Sequence, residues 1–78
     1  MTEFQWEKRT DRAEVASLLR RIADGLDGGG EIELSQDEWE LKLSVAEKVA
    51  LDVEVEIDEK TTELEIELKW STGSGGES

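Results

Sequence analysis

Several residue types on which catalytic and structural sites depend are missing from this chain of 78 residues. It has no cysteine, so no disulfide can stabilise it, and no histidine, so the usual ligands of a structural zinc site are lacking. Tyrosine is absent as well. Without histidine or cysteine the chain lacks two residue types that commonly serve as nucleophile or general base, which argues against an enzyme. We therefore expect no catalytic residue, no cofactor and no defined metal site.

Long apolar runs are also missing, and the composition of the first residues leads us to expect no secretory signal. No segment approaches the ~20 apolar residues of a membrane-spanning helix. The first residues, Met1-Thr2-Glu3, are acidic and no apolar segment typical of a signal peptide follows them. A chain of this length forms one domain. We expect a single cytoplasmic domain over residues 1–70 that has no membrane partner.

Basic residues are few: 9 lysines and arginines face 21 aspartates and glutamates, for a net charge of −12. This balance makes nucleic acid a poor partner. Ordinary acidity that aids solubility, disorder, and adaptation to the molar salt of a halophile's cytoplasm would each produce it. The patterned apolar residues argue against disorder, and we favour adaptation to salt.

Strict alternation of apolar and acidic residues over 51–57 and 64–70 is typical of two half-buried strands. The four residues between Ile57 and Thr62 are few enough for a hairpin turn. With Ile57 opposite Thr62, the hairpin places three apolar pairs on one face: Val55 with Leu64, Val53 with Ile66 and Leu51 with Leu68.

The same register places six carboxylates, which we call the acidic ladder, on the opposite face: Glu56 with Glu63, Glu54 with Glu65 and Asp52 with Glu67. Two unit charges about 5 Å apart repel by roughly 0.8 kcal/mol in water. At 1 M salt the screening length falls to about 3 Å, which removes most of this repulsion. A flat sheet cannot wrap a cation with carbonyls and carboxylates. We therefore expect a solvated face with diffuse potassium or magnesium ions.

Three more segments complete the predicted elements. Phe4 and Trp6 alternate within residues 4–7, which predicts a first strand. Asp11 with Glu14 has the spacing of a capping box at a helix start. An apolar stripe then runs to the glycines at 28–30, which end the helix; it consists of Val15, Leu18, Leu19, Ile22 and Leu26.

Alternation resumes at 31–34 and 39–43, with a turn over 35–38. We expect Leu34 opposite Trp39 and Ile32 opposite Leu41. Residues 44–48 break the pattern and predict a loop or one helical turn. The composition of residues 71–78 predicts a flexible Gly/Ser tail.

The order β-α-β-β-β-β predicts an α+β two-layer sandwich, with one helix packed on a mainly antiparallel five-stranded sheet. The last four strands form a meander, and strand one lies beside the last strand. One helix about 10 Å across cannot cover a sheet about 20 Å wide. The uncovered apolar surface favours a homodimer.

Trp6, Trp39 and Trp70 are the candidate site residues. By register all three point toward the helix side, which favours core packing. Trp6 and Trp70 lie near strand ends, where they could form an interface rim. Five basic residues gather between positions 8 and 21, where we favour pairing with acidic neighbours over a nucleic-acid patch; they are Lys8, Arg9, Arg12, Arg20 and Arg21.

Three features together resemble the amphi-Trp domain family, small acidic domains of prokaryotes that are well represented in haloarchaea. They are the opening Phe4-Gln5-Trp6-Glu7-Lys8, the capped helix that ends in glycines, and the amphipathic segment 64–70 that ends in Trp70. The resemblance runs from about Thr2 to Trp70. It implies an archaeal halophilic source but carries no assigned activity, so it transfers no catalytic residue.

The sequence thus predicts a non-enzymatic, acidic protein-interaction domain of a high-salt cytoplasm that self-associates. An alternative is an adaptor that binds another protein through a strand edge or a rim containing tryptophan. A weak cation-binding protein is a further alternative.

Overall fold

The computed structural model describes residues 3–36 and 38–72. It contains one helix and four strands: α1 (Arg12–Asp27), β1 (Glu31–Gln36), β2 (Trp39–Ser44), β3 (Ala50–Ile57) and β4 (Thr62–Lys69). The α+β class is confirmed. The strands form two separate antiparallel hairpins, β1–β2 and β3–β4. The predicted single five-stranded sheet is therefore wrong.

Helix α1 begins and ends at the residues that the sequence indicates. The Asp11 carboxylate accepts a hydrogen bond from the Glu14 backbone N–H at 3.0 Å and so caps the first turn. At the other end, Gly28 N–H donates to the Asp24 carbonyl. Gly29 and Gly30 then take φ values of 134° and 82°, which side chains disfavour. This glycine pair ends the helix and turns the chain into β1.

Helix α1 packs on β1 at very close range. A Cβ atom at Gly25 would lie 2.3 Å from the Glu31 carbonyl oxygen, so only glycine permits this approach. Ile32, on β1, is 5% exposed and is the one buried side chain among the described residues. The core thus lies between α1 and the β1–β2 hairpin, and it is small.

The predicted first strand does not form. Residues 4–7 have no strand structure, and Phe4 and Trp6 pack on the ring of Trp39 instead. Alternation assigns side chains to two faces, but a strand also needs a partner for its backbone hydrogen bonds. No such partner lies beside this segment in the described structure, so its position beside the last strand is also wrong.

The register of β1 with β2 differs from the prediction by two residues. Leu34 lies opposite Leu41, Ile32 opposite Leu43, and Gln36 opposite Trp39. Strand β1 continues through Gln36, so two residues separate the strands instead of four. A shift of two keeps every side chain on its predicted face, because the side-chain period is two.

Residues 45–49 separate the two hairpins. They form a loop, which confirms one of the two predicted forms. Val45 N–H donates to the Gly30 carbonyl at 2.6 Å, which ties the start of this loop to the glycine turn after α1. No backbone ladder joins β2 to β3 in the described residues. The molecule is consequently elongated, with principal extents of 45 × 27 × 27 Å.

The predicted Gly/Ser tail begins at Ser71 and Thr72, which have no regular structure, and continues outside the described residues. No helix among the described residues is long and apolar enough to cross a membrane.

Candidate interaction surface

The β3–β4 hairpin has the register predicted from its alternation. Ile57 pairs with Thr62, Val53 with Ile66 and Leu51 with Leu68. The turn is held by the Asp58 carboxylate, which accepts hydrogen bonds from the backbone N–H groups of Lys60 at 2.8 Å and Thr61 at 3.0 Å. These two bonds hold the pKa of Asp58 below its ordinary value, since they favour the charged form.

The acidic ladder also forms as predicted, because the same register places its three like-charged pairs directly opposite one another. All six carboxylates are exposed. The Glu54 side chain, by hydrogen bonding and then by charge repulsion, raises the pKa of Glu65 above its ordinary value; the charges of Glu63 and Glu56 act in the same direction. Glu65 is central in the ladder, where repulsion from several carboxylates adds up.

This shift predicts that acid stabilises the fold at low ionic strength. With a folded-state pKa above the ordinary value of 4.5, Glu65 contributes stability that is present below that value and is lost as pH rises through its raised pKa. Lowering the pH from about 7 to about 5 should therefore raise the melting temperature. Below this window the sign reverses, because Asp58 and Glu14 have lowered pKa values and lose their contributions on protonation.

The Glu65→Gln variant tests this dependence, since its amide resembles the protonated carboxyl and can donate to Glu54. We expect it to melt at a higher temperature than the parent at pH 7 and to lose most of the gain on acidification. Glu47→Gln removes the same charge from the exposed loop and should keep the parent's pH profile. An unchanged pH profile in Glu65→Gln would show that repulsion at this position does not affect folding.

The other face of the β3–β4 hairpin is apolar and uncovered. Neither β3 nor β4 contacts any other described element. The face, which we call the apolar hairpin face, includes six aliphatic side chains that are 56% to 73% exposed: Leu51, Val53, Val55, Ile57, Leu64 and Ile66. Leu68, at the base of β4, is half-buried. The predicted cover by the helix is thus wrong for this hairpin, since α1 contacts β1 alone.

The three candidate tryptophans occupy two places. Trp6 and Trp39 meet edge to face, with ring centroids 5.5 Å apart, and Phe4 packs on Trp39 at 5.3 Å. Trp70 lies elsewhere, where its indole N–H donates to the Ser44 carbonyl at 2.9 Å and joins the base of the second hairpin to the end of β2. All three are half-buried, so each combines packing with partial exposure.

A cleft of about 400 Å³ lies between the N-terminal segment, α1 and the end of β1, with Trp6, Leu18 and Arg21 among its lining residues. Lys8 and Glu14 form an ion pair of 3.1 Å on its wall, and Thr10 also donates to Glu14. These contacts, led by the Thr10 hydrogen bond, lower the pKa of Glu14.

Of the five clustered basic residues, Lys8 alone forms an ion pair within the described structure. The expected pairing with acidic neighbours is therefore observed at one position. No group of three potential metal ligands comes together among residues 3–36 and 38–72.

Sequence reasoning missed one exposed apolar surface, the flank of α1. Val15, Leu19 and Leu26 belong to the apolar stripe but are 42%, 48% and 39% exposed. The helical period signals the stripe without saying which part of it the sheet covers. The narrow β1–β2 hairpin leaves this part uncovered.

A comparison with known protein families finds a match for this chain. Searches of curated proteins and of solved structures find no significant match. The family model described as the Amphi-Trp domain matches residues 1–78, the whole chain. The acidic amphipathic hairpin that leads into Trp70 lies within this match. The chain therefore belongs to the Amphi-Trp domain family.

Proposed function

We propose that this chain is a non-enzymatic protein-interaction domain that self-associates through the apolar hairpin face in a high-salt cytoplasm. The observation that carries the proposal is the exposure of six aliphatic side chains on one face of the β3–β4 hairpin. Contiguous apolar patches of several hundred Å² on a small protein mark interaction sites. Burying each side chain is worth about 1.5–3 kcal/mol, so the face strongly favours a partner.

The exposed area supports a dimer. The chain exposes 7300 Å², whereas a compact monomer of its mass exposes about 4,800 Å². The apolar hairpin face is part of this exposed surface, and each partner of a stable complex buries about 800 Å².

The charges explain why salt should control this association. Residues 50–69 carry eight acidic residues and two lysines. Their net charge of −6 is half of the net charge of the whole chain, −12. Two such copies repel in dilute buffer, and the repulsion is screened within about 3 Å at 1 M salt. Self-association therefore fits a medium of molar salt, in which diffuse potassium or magnesium ions surround the ladder.

The double variant Val53→Thr/Val55→Thr tests the proposal. Threonine keeps the β-branched shape that suits a strand but places a hydroxyl in the contact. Sedimentation equilibrium in about 3 M KCl should show a dimer of the parent chain and a dissociation constant at least ~100-fold higher for the variant, since each buried hydroxyl costs about 1–3 kcal/mol.

Val49→Thr is the matched control, because it makes the same change in the loop before β3 and should leave dimerisation nearly unaffected. A folded parent chain that sediments as a monomer at every concentration in molar KCl would contradict self-association.

The alternative function is an adaptor that uses a strand edge or a rim containing tryptophan. The partly exposed cluster of Phe4, Trp6 and Trp39 supports it, since aromatic side chains are enriched at interface hot spots. A monomer in molar salt that captures a defined protein, and loses it on Trp6→Ala, would favour the adaptor.

A further inference from the structure

The side of α1 that faces β1 is defined by three residues. Gly25 approaches the Glu31 carbonyl most closely, and Leu18 and Ile22 are half-buried beside it. At about 100° per residue, these three positions lie within about 60° of one another around the helix axis. They mark the direction in which α1 contacts the β1–β2 hairpin.

The exposed apolar residues of α1 point in a different direction. Val15, Leu19 and Leu26, which we call the helix flank, lie within about 40° of one another and are turned by about 70° from the side facing β1. They span about 16 Å along the axis, at 1.5 Å per residue. The flank therefore extends beyond the edge of the first hairpin, where a wider sheet would cover it.

The chain's own second hairpin does not cover this flank, because β3 and β4 make no contact with α1. The Trp70 indole N–H bonds to the Ser44 carbonyl at 2.9 Å and attaches the base of the hairpin to the end of β2. Each copy thus has two uncovered apolar surfaces, the helix flank and the apolar hairpin face, which do not meet within that copy.

Charge distinguishes two ways in which copies could associate. In one arrangement, the β3–β4 hairpins of two copies pack face to face. Each of these hairpins carries eight acidic residues and two lysines. If a hairpin packed on a helix, the acidic sheet would meet an element with three arginines and three acidic residues. The second arrangement has the lower repulsion, since α1 carries no net charge.

We infer that the helix flank of one copy binds the apolar hairpin face of a second copy, and the reverse, in a two-fold symmetric exchange. This inference rests on the proposed self-association and specifies its geometry. Each copy offers one surface of each kind, so two contacts close the assembly as a dimer. Each helix would then cover strands on both of its apolar sides, which completes a two-layer arrangement of helix on sheet.

Disulfide trapping tests the geometry, because the chain has no cysteine of its own. Chains with Leu19→Cys and chains with Val53→Cys are mixed in about 3 M KCl and oxidised. We expect a mixed disulfide at a yield about tenfold above that of Ser17→Cys mixed with Val53→Cys, because contact in the dimer raises the effective thiol concentration to the millimolar range. Ser17 lies on the side of α1 opposite the flank, at about 180°.

Sedimentation of the same chains under reducing conditions separates this inference from the proposed function. A dimer that gives the Val53→Cys homodisulfide and no mixed disulfide would overturn the exchange and leave self-association standing. A monomer would overturn both. The double variant Leu19→Cys/Val53→Cys, if it forms an intrachain disulfide as a monomer, would also overturn both, because the hairpin would then cover its own helix.

Discussion

Raising KCl from near zero to about 3 M is expected to increase the melting temperature of the chain by more than ~10 °C. The acidic ladder places three like-charged pairs directly opposite one another. Screening removes most of this repulsion when the Debye length falls to about 3 Å. Tryptophan fluorescence and far-UV circular dichroism across the titration measure the effect.

A triple variant assigns this salt effect to the ladder. Replacing Glu63, Glu65 and Glu67 by glutamine removes one carboxylate of each pair, so the variant should melt at a higher temperature than the parent in dilute buffer and lose most of its salt dependence. The control variant replaces Glu3, Glu7 and Glu47 by glutamine. These residues are exposed and lie outside the ladder, so this variant should retain most of the salt dependence. Equal behaviour of the two variants would attribute the salt effect to net charge alone.

Ile32→Ala is expected to lower the free energy of unfolding by about 2–5 kcal/mol, the usual cost of truncating a buried aliphatic side chain. Ile32 is 5% exposed, and the described residues bury no other side chain to this extent. A domain below 80 residues rarely has more than about 3–5 kcal/mol from its core. The variant should therefore be largely unfolded in dilute buffer, and urea titration in molar KCl should quantify the loss.

Ile57→Ala provides the matched control, because Ile57 also lies in a strand but is 73% exposed. At protein concentrations below the dissociation constant of the dimer, its effect on unfolding should be within about 0.5 kcal/mol. At concentrations that favour the dimer the loss should grow, since the side chain then becomes buried. A loss for Ile32→Ala no larger than that for Ile57→Ala would show that the helix does not define the core.

We expect the small core around Ile32 to make the stability of this domain depend on a partner. The β1–β2 hairpin and α1 cover one another around Ile32, whereas β3 and β4 have no intramolecular cover. An isolated two-stranded hairpin is marginally stable in water. A second copy that packs on the apolar hairpin face would supply the missing cover, and salt would permit it to approach.

Local patterns in the sequence determined the elements with local causes. The β3–β4 register follows from strict alternation on both sides of a short turn, and the Asp58 carboxylate holds that turn. Helix α1 begins at the Asp11 cap and ends at a glycine pair with positive φ, both of which involve neighbours in sequence. The like-charged pairs of the ladder follow from the register, so they too could be predicted.

Tertiary structure alone decided how these elements meet. Alternation in residues 4–7 could not provide a strand partner, and Phe4 and Trp6 packed on Trp39 instead. The break between Ser44 and Ala50 could not reveal that β2 and β3 would remain unpaired. Whether distant strands pair depends on how the whole chain packs, and here α1 contacts β1 alone. For that reason the sequence determined the amphipathic hairpin itself, whereas the tertiary structure decided that its apolar face stays open.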